Sequence, residues 1–261
     1  MIDKGADIFA LRRKRRRAFL LRWGIVLGVL LLIPIVWMGV LIASYYMKIQ
    51  KGEIATGEER VIQESIAQAK ANQHPTQDDL ARLQPSATTG EYGSPDARVT
   101  VVEFVDYQCP YSQESATSVR AVMETYKDKV HFYVRDYPIP ELHAQARDAA
   151  LAANCALEQG QKAYWRYWDF LFGTPQDTFS TDVFRTLAQR ANINVTRFDE
   201  CMAKRTYDVK IDKDIDDAKN AGAQGTPTFF INGIMFPPGG GALNEYQLTE
   251  VIKSVLDSLP K

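Results

Sequence analysis

The chain has 261 residues, 46% of them hydrophobic and 24% charged, with a formal net charge of −1. That length is enough for one large domain with a proper core plus extensions. The proportions are ordinary for a globular protein, and the balanced charge gives no global sign of a nucleic-acid partner.

The charge is unevenly placed. Arg12, Arg13, Lys14, Arg15, Arg16 and Arg17 form a basic block, and residues 23–42 then run without a single charge. About twenty apolar residues span the hydrocarbon core of a bilayer. A cleaved secretory signal has a shorter apolar region, about 7–15 residues, and ends in small residues. Here the run is longer and leaves through Ala43, Ser44, Tyr45 and Tyr46, a poor cleavage site and a reasonable interfacial anchor. Pro34 lies inside the run, which transmembrane helices tolerate. Only Lys48 and Lys51 follow closely, so the positive-inside rule puts the N-terminus in the cytoplasm. The expected layout is a single-pass inner-membrane protein. It has a cytoplasmic basic segment (1–18), a bilayer-spanning helix (19–47) and an exported, periplasmic remainder where disulfides persist.

Residues 48–94 read as a tether. Val61, Ile62, Ile66 and Ala69 fit a short amphipathic helix over 58–71, membrane-proximal or dimerising, and a weakly ordered stalk is the alternative. Pro75, Pro85, Gly90, Gly93 and Pro95 then predict a loop. Residues 99–105, β-branched and aromatic, predict a strand. Val119, Val122, Met123 and Tyr126 recur at helical spacing, and 130–134 predict a second strand, so the pattern is that of a parallel βαβ unit. Helices are expected over 141–159, 161–172 and 181–191, the last capped by Ser180. Thr196 and Asp199 resemble a capping box for a fourth helix running to about 219. Strand character returns at 226–231, Asn232-Gly233 is a strong hairpin signal before 234–236, and Gly239-Gly240-Gly241 is a break. Asn244 with Gln247 can cap a last helix over 245–259. The assembled order is β-α-β, a helical block, a β-hairpin and a helix.

Cys109 falls where the first strand gives way to a helix. Unpaired N–H groups and the helix dipole there stabilise the thiolate, which is the nucleophilic form of cysteine. Pro110 suits the first helical turn, where no N–H is missed. The competing reading of Cys109 is a buried structural cysteine. Glu103 lies six residues earlier in an otherwise apolar strand. Buried, it would have a raised pKa and could relay protons; the alternative is an ion pair at the sheet end. Asp106 reads as a loop or cap residue, and His143 as packed or exposed, or else as orienting a loop beside the site. His74 lies in the tether and His131 in a strand. Three histidines without paired spacing point to no metal, and no cofactor motif is present. Three cysteines in an exported chain leave either one disulfide and one free thiol, or intermolecular pairing.

The stretch from Glu103 and Phe104 through Cys109-Pro110-Tyr111-Ser112 resembles the active-site strand and turn of the DsbA family of thiol–disulfide oxidoreductases. Residues 225–233 (GTPTFFING) resemble that family's proline loop, and the Ala- and Cys-containing helix, Gln159-Gly160 and Tyr164-Trp165 resemble its helical insert. The likeness covers about 93–259. It implies an α/β thioredoxin fold, with a core at 95–138 and 223–261, a helical insert at 139–222, and one N-terminal transmembrane helix before it. It implies a cis bond at Pro227, facing Cys109, although a Thr-Pro bond by itself is more often trans. The Thr226 backbone is then free to pair with an extended or unfolded protein substrate by strand addition, with Pro110 and Tyr111 beside it. It also implies an acid at Glu103 and a helical-domain disulfide between Cys155 and Cys201, which leaves Cys109 as the odd thiol.

The chain departs from the family at Ser112, where the usual site has a second cysteine. In a dithiol site that cysteine resolves the mixed disulfide, and serine cannot. Three readings follow. The first is thiol–disulfide exchange through Cys109 alone, isomerase- or reductase-like, resolved by an external thiol or a membrane redox partner. The second is a non-catalytic docking subunit of a membrane complex. The third is a disulfide oxidase whose resolving residue has been replaced.

Overall fold

A computed structural model describes residues 31–48, 57–72, 75–85 and 88–259. The basic block, the start of the apolar run, Lys51 and His74 lie outside these residues. The chain divides into two units, 1–60 and 61–261. The first holds helix α1 (Leu31–Lys48), long and apolar enough to cross a membrane.

The second unit contains a five-stranded sheet of order β1-β3-β2-β4-β5. Its strands are β1 (Gly90–Gly93), β2 (Val99–Val105), β3 (Val130–Asp136), β4 (Thr228–Ile231) and β5 (Ile234–Phe236). Strands β2 and β3 are parallel and joined through helix α4 (Pro110–Tyr126), as the βαβ pattern requires. The other three pairings are antiparallel. Helix α10 (Glu245–Ser258) is closed at its start by a reciprocal capping box between Asn244 and Gln247.

Side-chain alternation along β2 divides the core. Val99, Val101 and Val105 pack with Val119, Val122 and Met123 of α4 and with Leu248, Val251 and Ile252 of α10. Val102 and Phe104 face the other way, toward Ala218 of helix α9 (Asp208–Asn220). Both faces are covered, which is why β2 reads as a nearly continuous apolar run. By the same alternation Glu103 lies on the α4 face.

The insert between β3 and β4 is built on α5 (Ala146–Leu157), surrounded by α6 (Gln161–Phe172), α7 (Thr181–Arg190), α8 (Val195–Lys204) and α9. Alanine suits the role of α5, since it is the strongest helix former and its small side chain lets neighbouring helices approach. Every residue of α5 from Ala149 to Ala156 is buried. Arg135 and Asp136 at the end of β3 are also buried. The Arg135 guanidinium pairs with Asp214 at 2.6 Å and Asp217 at 2.5 Å, and the Lys210 ammonium with Asp136 at 2.6 Å, tying α9 to the sheet.

Several expectations need correction. The loop predicted around Gly90 and Gly93 contains β1, an edge strand set by its pairing with residues 131–134. The helix predicted from 141 starts at Ala146, because 139–143 form hydrogen-bonded turns. The helix predicted from Thr196 to 219 is two helices. Asn194 is the cap, and Arg205 in the left-handed region (φ 51°) ends α8 before α9 begins. In the predicted tether, α2 (Gly57–Asn72) buries Ile62, Ile66 and Ala69 in the sheet-and-helix core, while Val61 is exposed, and α3 (Gln77–Arg82) follows it.

Candidate functional site

Cys109 is the N-cap residue of α4 and Pro110 occupies its first turn. The turn leading into it is held by short contacts. The Cys109 N–H donates to the Asp106 carbonyl at 3.0 Å, and the Cys109 carbonyl accepts from the Gln113 N–H at 3.0 Å. The Gln176 amide donates to the carbonyls of Tyr107 and Cys109, and the Gln108 amide donates back to the Gln176 carbonyl. The strand-to-helix turn thus follows from the β-branched run, the proline at the first helical position and side-chain amides that occupy the turn's carbonyls.

The Cys109 thiol is buried and free. It lies against the Thr226-Pro227 segment, where the peptide bond is cis, and donates to the Thr226 carbonyl at 3.2 Å. So Cys109, Thr226 and Pro227, separated by more than a hundred residues in sequence, meet at one point. The Thr226 carbonyl, expected to be free for a substrate strand, is occupied by the thiol; its Oγ1 is buried without a partner among the described residues. The Phe236-Pro237 bond is also cis, a feature no sequence signal had suggested. Tyr111, the residue after Pro110, is 63% exposed and presents its ring at the rim.

Ser112 is completely buried one turn into α4, and its hydroxyl has no hydrogen-bond partner among the described residues. It is therefore not hydrogen-bonded to the Cys109 sulfur, contrary to what a serine at that spacing can do. A buried hydroxyl without a partner is unusual.

Glu103 is 2% exposed in β2, paired laterally with Val134 and Phe229. One of its carboxylate oxygens has no partner, and among the described residues it forms no ion pair at the sheet end. Burial alone pushes its pKa up from 4.5 to about 8. Burial thus favours the neutral form of the carboxyl.

Asp106 lies in the turn after β2, and its contacts reach beyond that turn. It is fully buried, and its carboxylate accepts from the N–H groups of Gln108 at 2.8 Å and Ile139 at 2.9 Å and contacts His143 Nδ1 at 2.8 Å. These contacts fasten the 137–145 loop to the cysteine turn. The nearest signal was an acid three residues before the cysteine, but two of its partners, Ile139 and His143, are over thirty residues away. His131 pairs with Glu91 and Tyr133 and lies in β3, apart from the cysteine turn. The other two cysteines, Cys155 of α5 and Cys201 of α8, are joined to each other, with Cα atoms 5.7 Å apart. Among the described residues no cluster of His, Cys, Asp or Glu is arranged to hold a metal ion.

Residues 86–254 match a family model described as Thioredoxin. The Na(+)/H(+) antiporter NhaA 3 of Salinispora tropica is 37% identical over 141 residues, 54% of this chain and 21% of that protein. The Na(+)/H(+) antiporter NhaA 1 of Salinispora arenicola is 35% identical over the same lengths. The chain matches only about a fifth of the length of these relatives. A thioredoxin-like oxidoreductase from Silicibacter pomeroyi superposes with a TM-score of 0.58 at 24% identity, covering 70% of this chain and 99% of that one. A periplasmic thioredoxin-like protein from Salmonella enterica serovar Typhimurium gives 0.59 at 21% identity, covering 71% and 100%. Alpha-DsbA1 of Wolbachia pipientis gives 0.60 at 20%, covering 69% and 96%. At these identities the solved structures establish the shared fold: a thioredoxin sheet with an inserted helical block.

Proposed function

The chain belongs to the thioredoxin family, and from that premise we propose that it carries out thiol–disulfide exchange through the single cysteine Cys109, on extended protein substrates, from a membrane-anchored and exported domain. The observation that carries this reading is the meeting of a free cysteine at the N-terminus of α4 with the cis Thr226-Pro227 segment. In the proposed reaction the Cys109 thiolate attacks one sulfur of a substrate disulfide. A Cys109–substrate S–S bond forms, the original S–S bond breaks, and the departing thiolate takes up a proton. Glu103, protonated near neutrality, is the proposed source of that proton. An external thiol then gives its proton back to the Glu103 carboxylate, attacks the substrate sulfur of the mixed disulfide, and leaves with that sulfur in a new disulfide as the Cys109 thiolate re-forms. One disulfide is consumed and one formed, so the electrons balance. Ser112 cannot take the resolving step, which is why an external thiol is required. Anchoring through α1, with the N-terminus inside and the domain outside, rests on the apolar helix and on the basic residues before it.

The test uses the full chain in detergent micelles with an unfolded peptide carrying one disulfide. Mass spectrometry without reductant should find a peptide adduct at Cys109 that glutathione removes. Absence of any adduct, or an adduct unchanged in Cys109→Ser, would contradict the proposal. The likeness to part of the Na(+)/H(+) antiporters favours a second reading, in which the domain is a docking module of a membrane complex. That reading expects Cys109→Ser to leave complex assembly intact.

A further inference from the structure

A concave site lies away from the cysteine, between β1 and helices α4 and α6, with a cavity of about 520 Å³. Small-molecule sites commonly fall in the range of about 300–1,000 Å³. Its walls combine two aromatic rings, Tyr92 and Trp165, packed edge to face with centroids 5.6 Å apart. The Arg120 guanidinium lies over both rings, 4.9 Å and 5.1 Å from their centroids.

The charges on this wall do not cancel locally. Glu91 pairs with His131 at 3.0 Å, so its carboxylate is engaged. Asp169 accepts from Arg120 Nε at 3.1 Å. Arg120 Nη1 is buried and has no acceptor, and neither has the buried Nε of Arg166. Lys162, one turn before Arg166 on α6, also lines the cavity, and neither residue has an ion-pair partner among the described residues. Buried donors are nearly always satisfied in folded proteins. Those two nitrogens are closed to solvent and do not open into the cavity; the cations that line it without an ion-pair partner among the described residues are Lys162 and Arg166. The acceptor that matches these two cations is an oxyanion, and a carboxylate, with two oxygens, can accept from both. The aromatic wall suits an apolar body attached to it.

We propose that this cavity binds a small organic carboxylate with an aromatic or similarly apolar body, its carboxylate paired with Arg166 and Lys162. The site is independent of Cys109.

The experiment follows Trp165 directly. The chain has four tryptophans, so indole-¹⁵N labelling of the full chain in micelles gives few signals, and Trp165→Phe assigns the relevant one. Titration with benzoate should move the Trp165 signal saturably. Arg166→Met should weaken binding about tenfold or more, the loss expected for one charge-assisted hydrogen bond. Lys162→Met, at an exposed position, should weaken it less and serves if the arginine variant does not fold. Acetate and inorganic phosphate should bind more weakly than benzoate, and Cys109→Ser should bind benzoate as the native chain does. The proposal is overturned by an unresponsive Trp165 signal, by native affinity in both cation variants, or by acetate or phosphate binding as tightly as benzoate.

Discussion

The two cysteine environments of this protein are built on opposite terms. Cys155 and Cys201 join two helices of the insert, both sulfurs buried, with a core of alanine and aromatic side chains around them. Cys109 sits at the strand-to-helix turn amid polar groups that the fold leaves incomplete: the buried Glu103 carboxyl, the buried Ser112 hydroxyl and the Thr226 hydroxyl, each with an atom lacking a hydrogen-bond partner among the described residues. One region lowers the free energy of the fold. The other accepts a cost in stability at the point where chemistry is proposed.

The sharpest way to break that comparison is Cys109→Ala, which should reduce peptide exchange to the uncatalysed background while leaving the thermal midpoint nearly unchanged. Removing the other pair should do the reverse. With the two cysteines 46 positions apart in sequence, the double variant Cys155→Ala/Cys201→Ala should lose about 4 kcal/mol of stability in the chain-entropy account. Denaturant unfolding measures that loss, and the rate of adduct formation at Cys109 should persist.

Glu103 sharpens the contrast through pH. Its carboxyl is held at about 8 in the folded chain against an ordinary 4.5. Below 4.5 it is protonated in both states and stability is greatest. Between 4.5 and about 8 only the unfolded chain ionises, so stability falls as pH rises, by about 5 kcal/mol across the window. Glu103→Gln should remove this slope and stabilise the chain by roughly 3 kcal/mol at pH 7. Equal pH profiles for the two proteins would show that the carboxyl is not held in its neutral form. The smallest effect belongs to Ser112→Ala, which removes an unpartnered buried hydroxyl and should stabilise by about 1 kcal/mol. A loss of stability there would reveal a hydrogen bond to the serine.

What the sequence made legible follows the range of the forces involved. The β2 strand, the helix after Pro110, the Asn232-Gly233 hairpin and the Asn244 capping box depend on neighbouring residues, and their patterns state them directly. Strand β1 escaped notice because Gly90 and Gly93 read as punctuation, and only the pairing with β3 makes them a strand. The break after α8 was hidden because a non-glycine residue, Arg205, takes the left-handed conformation. Within the site, Cys109 and Glu103 stood out by position, and the resemblance marked Pro227. His143 could be read as orienting a loop beside the site, but its partner Asp106 could not, since a lone histidine and a loop aspartate become a pair only when the 137–145 loop folds back on the cysteine turn.

The most direct test of the account is a turnover experiment on the native chain. The Cys109–peptide mixed disulfide is prepared, glutathione is added, and the free Cys109 thiol and the released peptide are followed together. The account predicts that the thiol is restored in step with a peptide–glutathione disulfide, and that a second addition of peptide disulfide reacts as fast as the first. A Cys109 that forms the mixed disulfide no faster than free cysteine, or an adduct that glutathione cannot release, would contradict it.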